Sequence, residues 1–321
     1  MIARERDFIN KEAIIDLGSN SIRMLIYDNI LNSQIPVFNE KAVCQLGKNL
    51  DRTGKLNPKG AEFALTVLKR FKQILSNLKV KKYKAIGTAA LREAIDAKDF
   101  IIKAQKIIKK KIIILSGNKE AENSALGVVI GFQKVNGLVA DLGGGSLELA
   151  RVEKNIIHDK ISLPLGVLRL FNQPKKNKNK VKKIISFYLN KIEWLRKNKI
   201  KNLYLCGGNA HMIKTNYPLA ILHQYKLSSL DTLKFVNRLN TVKAIKSEKL
   251  LSATKSRTNY IPIGGFILSN LIRICDPVSV FLSQSGVREG SLINKSKLKV
   301  LQNNSLSRSV HFLSHKKADY A

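Results

Sequence analysis

The sequence contains few cysteines and no long apolar run, and these absences exclude several classes of protein. Cys44, Cys206 and Cys275 lie far apart with no C-x-x-C spacing, so neither a disulfide framework nor a zinc site built on paired cysteines is expected. No apolar run approaches the ~18 residues that a membrane span requires. The first residues also lack the apolar core of a signal peptide. We therefore expect no membrane association and place the protein in a reducing cytoplasm.

Acidic residues are also scarce. The 321 residues include 57 Lys and Arg but only 23 Asp and Glu, which gives a formal net charge of +34. Hydrophobic residues make up 44%, close to the globular average of about 45–50%, so the chain can bury a core. The length suggests two domains of about 150 residues each. The charge indicates either a polyanionic partner, such as nucleic acid, an anionic membrane surface or polyphosphate, or lysines that are simply solvated.

Two segments of the chain repeat one pattern. Residues 13–28 (AIIDLGSNSIRMLIYD) and 138–153 (LVADLGGGSLELARVE) each combine an apolar strand, a turn of small polar residues and a second apolar strand. Asp16 and Asp141 are equivalent in this alignment and lie 125 residues apart. A repeat over one domain length predicts two related domains.

Strand and helix patterns alternate along the chain, which predicts an α/β protein. We place the first domain at residues 1–122 and the second at residues 123–294. Residues 295–321 lose all periodicity and are predicted to be a basic, disordered tail. The periodicity predicts helices at 58–78, 97–110, 118–132, 181–197, 228–239, 241–253 and 262–275, and further strands at 83–87, 112–115, 202–208 and 278–282.

The turns of the two repeated segments carry the strongest chemical signal. Glycine and small polar residues allow a tight turn in which several backbone N–H groups point at one spot and bind phosphate. Asp16 and Asp141 each end a strand just before a turn, where a carboxylate can hold a hard cation directly or through water. Glu148, just after the second turn, is suited as another cation ligand, although a solvent-facing position fits strand alternation equally well. Two ordinary hairpins with Asp as a turn residue are the alternative, which the repetition disfavours.

Other nucleotide-binding and metal-binding motifs are missing from the sequence. Neither turn matches G-x-x-x-x-G-K-[ST], which excludes a P-loop. The GGGS turn precedes a predicted strand, whereas a dinucleotide-binding fold requires a helix at that point. The five histidines show no metal-ligand spacing, so each is better explained as a surface or packing residue.

Seven stretches of the chain match one protein family in order and spacing. The most specific are DLGSNS (16–21), SGNKEA (116–121) and DLGGGSLEL (141–149). The full set, which spans residues 13–294, is AIIDLGSNSIRMLIYD, GTAALREA, ILSGNKEAENSALGVV, LVADLGGGSLELARV, SLPLGVLRL, LCGGNAHMI and SGVREG. The chain thereby resembles the exopolyphosphatase / guanosine pentaphosphate phosphohydrolase family of the actin/hexokinase/heat-shock-ATPase superfold. The resemblance implies two related actin-like (ribonuclease H-like) domains with a cleft between them.

When the functional positions of the family are matched to this sequence one by one, the resemblance implies a set of site residues. Glu120 falls on the carboxylate that activates the attacking water, and Arg92 on an arginine that contacts the phosphate chain. Asp141 and Glu148 fall on positions that help bind magnesium, and Asp16, which ends the first strand, completes the expected metal-binding set. The expected phosphate-binding residues of the two turns are Ser19, Asn20, Ser21, Gly143, Gly144, Gly145 and Ser146.

The chain departs from the family pattern at two positions. Lys119 replaces the Glu that usually precedes the catalytic position, which changes the local charge. Asn259, within RTNYI (257–261), replaces an Asp of the family pattern, which would change one contact of the cleft. The match also ends near residue 294, so we expect the short, two-domain form without the C-terminal helical domains that extend the channel of long members.

These observations predict a Mg²⁺-dependent or Mn²⁺-dependent exopolyphosphatase. Terminal phosphate would leave inorganic polyphosphate by in-line attack of a water that Glu120 activates. Guanosine pentaphosphate is the alternative substrate, because both family activities share the catalytic residues. The resemblance is also compatible with a homodimer, which is common in the family.

Two other classes of function stay open at this point. A nucleotide-binding phosphotransferase of the same superfold would use LCGGNA (205–210) to approach a nucleoside. A non-enzymatic polyanion-binding protein would use basic segments, of which PKKNKNKVKK (174–183) is the densest. That segment has no interleaved aromatic residues for base stacking, so no specific nucleic-acid partner is predicted.

Overall fold

The computed structural model describes residues 11–30, 35–132, 134–171, 178–208, 210, 213, 226–239 and 260–293. Within these residues the chain forms two mixed sheets with helices around them. The strands are β1 (Glu12–Leu17), β2 (Ile22–Tyr27), β3 (Phe38–Ala42), β4 (Lys82–Gly87), β5 (Ile112–Ile114), β6 (Gly137–Leu142), β7 (Leu147–Glu153), β8 (Ile156–Leu163), β9 (Asn202–Cys206), β10 (Lys226–Ser228) and β11 (Ser279–Leu282).

The helices of the described residues surround the sheets and also run between them. They are α1 (Leu50–Thr53), α2 (Pro58–Asn77), α3 (Ala89–Glu93), α4 (Ala97–Ile108), α5 (Gly117–Gly131), α6 (Val167–Phe171), α7 (Lys178–Asn190), α8 (Glu193–Lys197), α9 (Ser229–Arg238), α10 (Ile261–Cys275) and α11 (Val287–Leu292). Among the described residues, no helix combines the length and the hydrophobicity that a membrane crossing requires.

The two sheets share one strand order. In the first sheet the order is β3-β2-β1-β4-β5, with β1–β2 and β2–β3 antiparallel and with β4 and β5 parallel to β1. In the second sheet β8-β7-β6-β9-β11 repeats this order and these directions, and β10 adds an antiparallel edge strand. The repeat predicted from Asp16 and Asp141 is therefore a repeat of whole sheets. The predicted α/β class with two related actin-like domains is confirmed.

Most predicted helices and strands are confirmed within the described residues, with ends that differ by a few residues. The prediction of one helix over 181–197 is wrong in one respect, because the chain forms α7 and α8 there. Extended backbone at Ile192 separates them, since Ile192 and Leu195 both turn into the apolar core. The predicted helix at 241–253 and the predicted tail lie outside the described residues.

Each sheet has its own apolar core. In the first sheet, α2 buries one face through Ala64, Leu68, Phe71 and Leu75 against the apolar side chains of β1 and β2. The spacing of these residues on α2 follows the helical period, which explains why the sequence predicted this helix well. In the second sheet a larger core gathers β6, β7 and β9 with α7, α9 and α10.

Helix α5 joins the two halves of the molecule. Its Val128 and Val129 contact the second sheet, whereas Ile130 lies in an apolar cluster with Ile14 of the first sheet and Leu292 of α11. The domain boundary that we predict at residue 122 falls inside this helix and stays a prediction. Because α5 contacts both sheets, it fixes the position of its first turn relative to both.

Helices α5 and α11 touch backbone to backbone through two glycines. A Cβ atom at Gly290 would overlap the carbonyl oxygen of Asn123, and a Cβ atom at Gly127 would overlap the carbonyl oxygen of Gly286. Neither neighbour is a flexible side chain that could move aside. The close approach therefore requires glycine at both positions, and it sets the distance between α5 and α11.

We expect Gly290→Ala to lower the free energy of unfolding by about 1–3 kcal/mol, because the added methyl group must push the two helices apart. Urea unfolding followed by circular dichroism measures the change. Asn118→Ala, at an exposed position in the first turn of α5, is the matched control and should stay within about 0.5 kcal/mol of wild type. Equal stability of the two variants would contradict the proposed role of the glycine contact.

Candidate active site

The turns that follow β1 and β6 face each other across a cleft of about 460 Å³. The cleft lies at the carboxyl ends of these two central strands, where side chains of both sheets converge. The residues from the sequence prediction that line it are Asp16, Ser19, Asn20, Ser21, Glu120, Asp141, Gly143, Gly144, Gly145, Ser146 and Glu148. The fold thus brings nearly the whole predicted set to one place.

The two turns close in the same way. The Gly18 N–H donates to the Ser21 carbonyl at 3.1 Å, and the Gly143 N–H donates to the Ser146 carbonyl at 2.9 Å. The turns also touch each other, because a Cβ atom at Gly145 would lie 2.8 Å from the Ser19 hydroxyl oxygen. Two equivalent backbone turns in contact form a paired nest that can hold consecutive phosphoryl groups.

Three carboxylates lie beside the turns. Asp141 and Glu148 are cross-strand neighbours on β6 and β7. Asp141 accepts a hydrogen bond from the Ser124 hydroxyl at 2.8 Å, and Glu148 accepts one from the Ser162 hydroxyl at 2.7 Å. Glu148 is only 2% exposed, which excludes the solvent-facing alternative. Burial raises the pKa of Asp16, Asp141 and Glu148, and in Glu148 the nearby charges of Glu120 and Asp141 raise the pKa further.

Glu120 lies in the first turn of α5, whose N-terminus is capped by the Ser116 hydroxyl oxygen. The Arg92 guanidinium donates to Glu120 Oε2 at 2.9 Å and to the Leu115 carbonyl at 2.8 Å. Burial raises the pKa of Glu120 to about 7, against the opposing influence of Arg92. A carboxyl group with a pKa near neutrality is suited to accept a proton from water.

Arg92 and Lys119 both lie outside the lining of the cleft. Arg92 contacts the catalytic candidate Glu120, so its predicted contact with the phosphate chain stays a prediction. The Lys119 ammonium pairs with Glu122 at 2.6 Å on the outer face of α5. The positive charge at position 119 is therefore paired with Glu122 outside the lining of the cleft. Asn259, the second departure from the family pattern, lies outside the described residues.

The sequence prediction missed Arg288, which lines the cleft. Its Nη1 lies 3.4 Å from Asp16 Oδ2. The SGVREG stretch (285–290) carried family resemblance but no predicted role for its arginine, because no local pattern indicates that α11 packs against the first sheet. Arg23, the cross-strand neighbour of Asp16, also lines the cleft and was missed. An arginine inside the apolar pattern of residues 22–27 was the available signal.

The carboxylates fit a hard cation held in an open site. Among the described residues no three His, Cys, Asp or Glu side chains are placed to enclose a metal ion. However, Asp16 Oδ1 is buried without a hydrogen-bond partner, and it could coordinate a cation instead. Mg²⁺ keeps several waters and binds through one or two carboxylates together with substrate phosphate. The donor set therefore suits Mg²⁺ or Mn²⁺ bound together with a phosphate chain.

Comparison with known proteins agrees with this geometry. The model of the Ppx/GppA phosphatase family matches residues 26–299. The chain belongs to this family. The expectation of a phosphatase is therefore confirmed at the level of the family.

Curated relatives of this Ppx/GppA member carry several names. The chain is 25% identical over 304 residues to the bifunctional 3-dehydroquinate synthase/phosphatase of Fusobacterium nucleatum, covering 88% of this chain and 46% of that protein. It is 32% identical over 148 residues to a putative exopolyphosphatase of Haemophilus influenzae, covering 46% of each. It is 31% identical over 161 residues to the guanosine-5'-triphosphate,3'-diphosphate pyrophosphatase of Aeromonas hydrophila, covering 50% of this chain and 32% of that protein. The chain thus spans about half or less of the length of these relatives.

Solved structures share the fold of this Ppx/GppA chain. An exopolyphosphatase from Cytophaga hutchinsonii superposes with a TM-score of 0.77 at 22% identity, covering 91% of this chain and 98% of that one. The Ppx/GppA protein of Aquifex aeolicus superposes with a TM-score of 0.70 at 24% identity, covering 92% and 98%.

The raised pKa of Glu120 predicts a pH-dependent effect on stability. The folded state raises this pKa from 4.5 to about 7, so the associated stabilisation is complete below pH 4.5 and is lost as the pH rises to about 7. Glu120→Gln has no proton to lose. Its free energy of unfolding should therefore gain about 2–3 kcal/mol relative to wild type between pH 5 and pH 8.

Denaturant titrations at several pH values measure this difference. Glu122→Gln is the control, because Lys119 and Lys160 hold the pKa of Glu122 below its usual value despite the opposing effect of burial. That variant should show no gain at alkaline pH. Parallel stability curves for wild type and Glu120→Gln would refute a raised pKa for Glu120.

Proposed function

We propose that this chain is a Mg²⁺-dependent exopolyphosphatase that hydrolyses the terminal phosphoanhydride bond of inorganic polyphosphate. One observation carries the proposal. The buried carboxylate of Glu120, with its pKa near neutrality, lines the same cleft as two equivalent phosphate-binding turns. A general base, a phosphate nest and a set of carboxylates for a cation are the parts that phosphoryl transfer to water requires.

The two turns would bind and orient the chain end. Backbone N–H groups of the turn at Ser19–Ser21 and of the turn at Gly143–Ser146 would donate to phosphoryl oxygens from opposite sides. Because the turns are fixed by β1 and β6, these donors need little reorganisation when substrate binds. One or two of the carboxylates of Asp16, Asp141 and Glu148 would hold Mg²⁺ together with substrate phosphate, and the cation would supply neutralisation of the charge on the phosphoryl oxygens.

Glu120 would hold and deprotonate the attacking water. Its carboxylate accepts from Arg92 through Oε2, which fixes the side chain at the edge of the cleft. Arg92 also opposes the effect of burial on the pKa of Glu120. In this assignment Arg92 is a positioning residue that keeps enough of Glu120 ionised at neutral pH.

Guanosine pentaphosphate is the second candidate substrate. One similar protein, that of Aeromonas hydrophila, is named guanosine-5'-triphosphate,3'-diphosphate pyrophosphatase. The net charge of +34 supports the longer polyanion, because long-range attraction increases with the charge of the substrate. We therefore place inorganic polyphosphate first.

Glu120→Gln should lower the rate of phosphate release from polyphosphate by about 10²–10⁴-fold, since the variant retains the shape of the side chain but cannot accept a proton. Phosphate release is measured from polyphosphate of two lengths and from guanosine pentaphosphate, with saturating Mg²⁺. Glu122→Gln, two residues along α5 from Glu120 and on the outer face of the helix, should retain wild-type activity. Wild-type protein that releases no phosphate from any of these substrates would refute the proposal.

The pH dependence of the reaction should report the same carboxyl group. We expect kcat to rise with pH through an apparent pKa close to 7, because Glu120 must be ionised to act as a base. Arg92→Gln should move this apparent pKa upwards, since the guanidinium stabilises the ionised form. An unchanged profile in Arg92→Gln would contradict the positioning role of Arg92.

A further inference from the structure

Helix α11 places Arg288 in the lining of the cleft, and several hydrogen bonds anchor the helix. The Glu289 carboxylate accepts from the Tyr27 hydroxyl at 2.7 Å and from the Gly286 N–H at 2.7 Å. The Lys84 ammonium donates to the Ser291 carbonyl at 2.8 Å. Both oxygens of Glu289 are thus engaged in anchoring the helix, so the Arg288 guanidinium depends on other groups for hydrogen bonds.

The contact between Arg288 and Asp16 is loose. Their closest atoms, Nη1 and Oδ2, lie 3.4 Å apart, which is longer than the usual 2.7–2.9 Å of a charge-assisted hydrogen bond. Arg288 Nε and Asp16 Oδ1 are both buried and have no hydrogen-bond partner. Each side chain therefore retains an unused position for another ligand, a donor on Arg288 and an acceptor on Asp16.

Three cationic side chains line this end of the cleft, beside the carboxylates of Asp16 and Glu289. Arg23 is the cross-strand neighbour of Asp16 on one side and of Lys41 on the other, and Arg23, Lys41 and Arg288 all line the cleft. Burial, followed by the nearby charge of Arg288, lowers the pKa of Arg23 to about 10. Like charges held close together repel, and an anion among them relieves that repulsion.

We propose that Arg288 is an anion-binding residue of the cleft that exchanges Asp16 for a phosphoryl oxygen when a divalent cation binds Asp16. A cation at Oδ1 and the guanidinium at Oδ2 are like charges beside one carboxylate, so binding of the cation weakens the long contact of Arg288. The guanidinium that is released has a free Nε donor for the anion. Arg288 thereby couples cation binding to phosphate binding. The identity of the anion as a phosphate chain rests on the proposed function, whereas the competition for Asp16 does not.

This arrangement predicts opposite effects of one substitution on two ligands. Arg288→Gln removes the competitor for Asp16, so the free protein should bind a divalent cation more tightly. The same change removes a charged donor, so the protein should bind a phosphate anion more weakly. If Arg288 had a purely structural role, the substitution would weaken the binding of both the cation and the anion.

Two binding measurements test the proposal without turnover. Titration with Mn²⁺, followed by electron paramagnetic resonance in the absence of phosphate, gives the Kd of the cation, which should fall severalfold in Arg288→Gln. Calorimetric titration with imidodiphosphate at saturating Mg²⁺ gives the Kd of the anion, which should rise about tenfold or more. Circular dichroism and thermal unfolding confirm that the variant is folded.

Two further variants complete the experiment. Arg288→Lys retains the charge but has no second nitrogen in reach, so both constants should move in the same directions by smaller factors, and this variant decides the test if Arg288→Gln does not fold. Arg273→Gln, on the exposed side of α10, should change neither constant. Unchanged constants in the Arg288 variants, or a shift of both towards weaker binding, would overturn the proposal. If wild-type protein binds the cation and the anion in this coupled way but releases no phosphate, the proposed hydrolase function is refuted and the proposed role of Arg288 is not.

Discussion

The burial of several carboxylates around one small cleft is the constraint on which the rest of this structure depends. Removing an ionised group from water costs several kcal/mol unless hydrogen bonds or opposite charges compensate. Here Ser124 and Ser162 each donate one hydrogen bond to a carboxylate, and Arg92 and Arg288 supply positive charge. The compensation is incomplete, since burial still raises the pKa of the carboxyl groups. Under the proposed function, a cation together with a phosphate chain would complete it.

The duplicated sheet explains how the chain maintains such an arrangement. Each central strand is paired on both sides, so Asp16 and Asp141 sit at strand ends that have little freedom to relax away from each other. Helix α5 then adds Glu120, and α11, which the glycine contact holds against α5, adds Arg288 to the lining of the same cleft. The rigid cores therefore hold the buried carboxylates close together although their charges repel. In proteins generally, the stability of the scaffold offsets the unfavourable free energy of such a site.

Local sequence patterns were sufficient for the two turns, because their composition already reflects their chemistry. The role of Glu120 came only from the resemblance to the family, since a single acidic residue in a helix carries no such signal. The same patterns could not reveal Arg288 or the burial of Glu148. Arg288 acts on Asp16 across more than 250 residues of chain, through a helix that crosses from the end of the second sheet to the first. Glu148 is buried because β8 covers it with Ser162, and the weak apolar alternation of β8 did not predict a strand. Contacts of this kind depend on tertiary packing, which a local pattern does not contain.

Lysines that lie far from the cleft contribute to the large net charge but have little effect on a phosphate inside the cleft. Lys82 begins β4 and Gly87 ends it beside the first turn, so the lysines at the start of that strand lie about 16 Å from the cleft. Screening at physiological salt has a length of about 8 Å, which leaves such exposed lysines little influence on a phosphate that is already bound. The cations that line the cleft are Arg23, Lys41 and Arg288, and the two arginines are held in a less screened environment. Arginine is suited to that place because its planar fork matches phosphate and stays charged when buried. Under the proposed function, surface lysines would attract a polyanion from a distance, and the arginines at the cleft would bind it.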